Sequence, residues 1–171
     1  MNLDFKHLLP EEFSPSSRLW IYQGSRLLSL SEALAAEDLI TEFCSQWRSH
    51  GAEVAAYGNL FFGRFLVFMA DESKAGVSGC STDSSVRFVK NLEQQFSIDF
   101  FDRTNLALVV KDTIQLLPLS QLQYAFQNNF ITADTLYFNN TIATKEQMEN
   151  NWIVPLKSSW LAKRLKIEAS F

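Results

Sequence analysis

Two thiols, two imidazoles and one hydroxyl-rich loop hold most of the chemistry that this 171-residue sequence offers. The loop spans residues 75–89, AGVSGCSTDSSVRFV, and passes into Val86, Val89, Leu92 and Phe96, apolar residues at helical spacing. Cys80 precedes the expected helix start, where backbone N–H groups and the helix dipole favour a thiolate. His50, the mid-chain histidine, is the candidate base for it, and together they would support thiol or acyl-transfer chemistry. Asp71, Glu72 and Asp83 oppose a negative sulfur, with Lys74 and Arg87 as the nearby cations, and a small buried cysteine is the competing reading.

The same loop carries a second candidate chemistry. Backbone N–H groups from Ser78 and Gly79 to Asp83, with hydroxyls of Ser81, Thr82, Ser84 and Ser85, would cradle a phosphate or carboxylate at the helix start. Ser81 or Thr82 is the expected N-cap, and Asp83 suits the positive end of the dipole. The alternative is a connector whose hydroxyls bond their own backbone. The nucleotide-hydrolase phosphate loop is absent, because Gly76 has Ser81 five positions on and no lysine follows. No close Cys or His spacing points to a structural metal, and no glycine-rich dinucleotide turn points to a cofactor, so neither is expected. Asp99, Asp102 and Arg103 in DFFDR read as an ion-paired corner.

The elements that must position these groups come next. Residues 1–17, with Pro10 and Pro15, read as an extended arm packing through Phe5, Leu8, Leu9 and Phe13. RLWIYQ at 18–23 is the first strand, and Ser29 with Glu32 forms a capping box for a helix bearing Ile40, Cys44 and Trp47. A weaker strand at 53–57 is expected to turn at Gly58 and Asn59 into the apolar run 64–70. The loop, a helix at 83–96 and a strand at 106–110 complete the order strand, helix, strand, strand, helix, strand. That is the α+β, ferredoxin-like split βαβ pattern, an antiparallel sheet with two helices on one face. It would bring His50, the Cys80 loop, Arg18, Lys111 and Asp112 to one end, with Arg26, Asn59, Arg64 and Arg103 at the other. Residues 18–111 are the expected core. Residues 112–171 would be a helical and hairpin extension packed on it as a single unit.

A 47% apolar share with four Pro and six Gly excludes disorder. The formal charge of −4 gives no basic field for nucleic acid or an anionic membrane. Two cysteines make no disulfide framework, and the N-terminus MNLDFKHLLPEEF is unlike a secretion signal, so the cytoplasm is the expected location. The partner class expected is a small ligand or a protein.

Two resemblances follow. The strings LSQLQYAF and ITADTLYF with a later Trp resemble small GYF-type peptide-binding modules, although the glycine-tyrosine-phenylalanine signature is missing. Through RLWIYQ, SGCSTDSSVRF, DFFDR, LYFNN and NWIVPLKSSW, the chain resembles a family of uncharacterised bacterial proteins, some labelled ABC transporter ATPase. That label conflicts with the missing phosphate loop, and the resemblance implies no catalytic residue. The reading is a binding or interaction protein with its site at 76–85, and a thiol enzyme using Cys80 and His50 as the alternative.

Overall fold

The computed structural model describes residues 1–49, 52–53, 55–71, 73 and 79–167, with the backbone alone described at 48, 49, 52, 53 and 79–81. It is a mixed helix and strand structure with antiparallel sheets. Two compact units emerge, one of Asp4–Asp102 with Ala143–Met148, the other of Met1–Leu3, Arg103–Ile142 and Glu149–Phe171.

The first unit contains β1 (Arg18–Gln23), α1 (Leu30–Gln46), the short pair β2 (Arg48–Ser49) and β3 (Ala52–Glu53), β4 (Ala55–Phe61), β5 (Phe65–Asp71) and α2 (Gly79–Phe96). Its main sheet runs β1-β5-β4, antiparallel throughout. Every residue of β5 is buried, as expected of a central strand covered on both faces and written as an unbroken apolar run. On one face Leu66 and Phe68 pack with Tyr22, Ile40 of α1 and Val89 and Leu92 of α2, so both helices share that face. Phe43 of α1 stacks on Phe88 of α2 at 4.4 Å between ring centroids, and both meet Phe68 edge-on. The arm contributes buried Phe5, Leu9 and Phe13, with Phe5 edge-on to Phe61 at 6.3 Å.

Local signals account for the boundaries. Ser29 accepts from the Glu32 N–H while the Glu32 carboxylate accepts from the Ser29 N–H, completing the capping box. The expected turn at Gly58 and Asn59 is instead the middle of β4, and the chain reverses at Phe62 and Gly63, both in the left-handed region. Gly58 is there for space. A Cβ at this position would lie 2.6 Å from Ile40 Cγ2 and 2.8 Å from Cys44 Sγ, so the missing side chain lets α1 approach the sheet.

The expected fourth strand of this sheet belongs elsewhere. β6 (Asn105–Val110) pairs with β7 (Thr113–Pro118) and β8 (Leu136–Phe138) in the second unit, whose sheet runs β7-β6-β8-β9, with β9 at Ile153–Pro155. The reason is local. Lys111 and Asp112 both take positive φ, forming a tight hairpin that gives β6 its nearest neighbour in sequence as its partner. Leu106 and Leu108 then join a core with Leu122 of α3 (Leu122–Gln127), Tyr137, and Leu161 and Leu165 of α5 (Leu161–Leu165). The expected division after residue 111 therefore moves to between Asp102 and Arg103. Beside β1 lies the segment before α4 (Lys145–Asn151), through an Arg18 to Thr144 bridge and a Leu19 N–H bond to the Ala143 carbonyl.

In the second unit Trp152 is fully buried, donating from Nε1 to Asn140 Oδ1 at 3.1 Å and meeting Phe138 edge-on. Trp160 donates to the Tyr137 hydroxyl at 3.3 Å, and burial raises the pKa of that phenol.

Candidate functional sites

The first candidate lies in the first unit, at the end of the sheet where β1 begins and β5 finishes. Arg18 pairs in register with Ala70, and its guanidinium lies over the Trp20 ring at 5.1 Å. Trp20 in turn lies 5.8 Å from Trp47, the residue that ends α1. Asp71 is buried, its carboxylate accepting from the Ser73 and Ser14 N–H groups at 3.0 and 3.4 Å.

Helix α2 begins at Gly79, ahead of the expected start at Asp83. Ser81 and Thr82 are therefore helical, not capping, residues, and Cys80 stands in the first turn. A helix leaves its first four N–H groups without intrahelical acceptors, here those of Gly79 through Thr82. Thr82 and Ser84 are half-buried and Asp83 is exposed. Ser84 Oγ accepts from Arg87 at 3.4 Å. The fully buried Ser85 donates to the Thr82 carbonyl at 2.7 Å, a bond back into the helix that withdraws this hydroxyl from ligand binding. Ser78 and His50 lie outside the described residues, as do the side chains of Cys80 and Ser81, and so does the pairing of thiol and imidazole.

Of the other residues expected at this end or the opposite one, Arg103 is exposed and the rest hold structural positions. Lys111 and Asp112 form the β6–β7 hairpin of the second unit, where the Met1 amino group lies 3.8 Å from Asp112. Arg26 holds Glu32 through two bonds of 2.9 Å and also donates to the Phe96 carbonyl, tying the entry to α1 to the end of α2. The Arg26 bond, ahead of the Ser29 N–H, lowers the Glu32 pKa to about 2. Arg64 is buried, donates to the Gly24 carbonyl at 3.1 Å, and has its pKa lowered by desolvation. Asn59 is a mid-strand residue that donates to the Tyr57 hydroxyl at 3.0 Å. In DFFDR, Asp99 caps a turn, accepting from the Phe101 and Asp102 N–H groups at 2.7 and 3.0 Å. Burial pushes the Cys44 thiol up to about 12, which disfavours its thiolate at neutral pH.

A second candidate was missed in the sequence. Tyr124 and Phe130, in the second unit, are 63% and 65% exposed, and their ring centroids lie 6.3 Å apart at 31°. Asn129, at φ 58°, reverses the chain after α3, and the Phe130 N–H bonds to the Ala125 carbonyl, which places Phe130 beside Tyr124. From Thr113 to Ala133 the sequence has no charged residue. The available signal was Tyr124 falling between Leu122 and Ala125, the two residues that α3 buries.

Among the described residues no group of three or more His, Cys, Asp and Glu is placed to hold a metal ion, and no helix is long and apolar enough to cross a membrane. Compared with protein-family models, curated proteins and solved structures, the chain finds no match.

Proposed function

We propose that this chain is an interaction protein that docks a protein segment on Tyr124 and Phe130. The observation that carries this reading is the side-by-side exposure of the two rings. Exposed apolar patches mark partner surfaces, and interface cores are rich in aromatic residues and poor in charge. The uncharged stretch from Thr113 to Ala133 fits that description. Burying each ring against a partner would contribute about 1.5–3 kcal/mol. The likeness to GYF-type modules makes an extended peptide the form of partner we favour. A photo-crosslinking residue at Gln127, activated in the native cell, tests this. One dominant adduct that disappears in the Tyr124→Ser, Phe130→Ser double variant is expected. Adducts unchanged by the double variant would remove the proposal.

A second reading places a small anion at the start of α2, where the Gly79 to Thr82 N–H groups, with the Arg18 guanidinium, would hold it. Ser78, Ser81 and Ser84 would supply hydroxyls, with exposed Asp83 as the opposing charge. Phosphate titration followed by amide NMR decides it, since an unoccupied cradle leaves the Gly79 and Cys80 signals unmoved. Thiol chemistry by Cys80 with His50 is tested by alkylation at neutral pH. In a Cys44→Ser background the labelling rate reports Cys80 alone, and slow labelling excludes a low-pKa nucleophile.

The same proposal takes in the finer readings of the chain. The β1-β5-β4 order under α1 and α2 supports a ferredoxin-like split core, with the Ala143 and Thr144 segment in place of its fourth strand. Membership of the bacterial family and a cytoplasmic location are proposed with it.

A further inference from the structure

The N-terminal arm crosses the face of the first sheet opposite the helices. Phe5 meets Phe61 beside the β4–β5 reversal, the Leu8 carbonyl accepts from the Tyr57 hydroxyl at 2.7 Å in mid-strand, and the Ser14 N–H reaches Asp71 at the far end. Within the arm, the N–H groups of Leu8, Leu9, Phe13 and Ser17 bond to carbonyls three residues back, and the arm takes no place in the sheet's strand order. Its attachment runs through four alternate carbonyls. Lys145 Nζ donates to Phe13 at 2.9 Å and to Glu11 at 3.5 Å, the Glu146 N–H to Pro15 at 2.9 Å, and the Lys145 N–H to Ser17 at 3.0 Å. Lys145 is only 6% exposed, and a lysine is rarely buried so far unless its ammonium is paired.

We infer that residues 4–17 form a strap, closed by Lys145, that opens as a unit while the sheet beneath stays folded. A segment that joins no strand ladder, held by three buried apolar side chains, a few hydrogen bonds and local turns, opens at lower free energy than a central strand with full ladders on both sides. The ammonium bonds are charge-assisted and are the strongest of the polar fastenings, while the Tyr57 bond is a neutral one. Opening would uncover the side of the sheet carrying Phe61 and Tyr57.

Hydrogen exchange of the full-length chain, read separately for residues 4–17 and for β5, tests this alongside tryptic cleavage after Lys6. Lys145→Met keeps the aliphatic stem and removes the donors. Arm exchange and cleavage should accelerate roughly ten- to hundredfold, with β5 exchange unchanged. Tyr57→Phe should accelerate the arm alone, by about tenfold or less. Wild-type arm protection in Lys145→Met overturns the inference. So does joint acceleration of arm and β5, because the arm would then open only with the core. Should Lys145→Met fail to fold, Tyr57→Phe decides by the same two readings.

Discussion

In the first unit Phe43, Phe68 and Phe88 meet at 4.4 to 5.8 Å among helices and sheet, while in the second Tyr124 and Phe130 meet at 6.3 Å in solvent. Ring geometry alone does not distinguish the two groups. What differs is the water already removed: the stabilisation of the first group is realised on folding, whereas most of that available to the second is still unrealised. Aromatic content therefore says little until burial is known.

Substitutions can sharpen or break this contrast. Phe68→Ala empties the centre of the buried group and should cost about 3–5 kcal/mol in denaturant unfolding. A cost below about 1 kcal/mol would mean that the rings are loosely packed. Gly58→Ala tests the same interface from the sheet side. Its methyl must displace Ile40 or Cys44, and a loss of about 1–3 kcal/mol is expected from the unfolding midpoint.

The Arg26 and Glu32 pair gives a smaller effect, visible in acid. The Glu32 pKa falls from its usual 4.5 to about 2 on folding, so its contribution is fully present above 4.5 and is lost as pH falls through about 2. Glu32→Gln should therefore flatten the stability profile between these values, most clearly at low salt. Smallest of all, Phe130→Ser should change stability by no more than about 0.5 kcal/mol, although the crosslinked partner is lost. A large loss of stability there would make Phe130 part of the fold and erase the contrast.

Short-range chemistry was the legible part of the chain. RLWIYQ, the Ser29 and Glu32 box, and the run that became β5 each declared an element through spacing and capping alone. Gly58 misled because a glycine opening a turn and a glycine admitting a helix are identical in sequence. Which one is present depends on Ile40 and Cys44, well upstream. The turn at Lys111 to Thr113 into the strand after it was legible, since aspartate tolerates positive φ, but that this hairpin would give β6 a sheet of its own was not. At the site, helical spacing gave α2 its body but placed its first turn too late, because Gly79 to Thr82 read as loop residues by type. Tyr124 and Phe130 were passed over because an aromatic residue is by default assigned to a core.

The bridge between Arg18 and Thr144 bears on how the protein is made. During synthesis β1 leaves the ribosome early, yet the residues that lie along it are encoded after nearly all of the strands of the other unit. Until residue 148 emerges, the nascent first unit lacks both the segment on the outer edge of β1 and the lysine that fastens its leading segment. Fragments ending near residue 102 would carry an unguarded strand edge, the kind of surface on which chains stick to one another before they are complete.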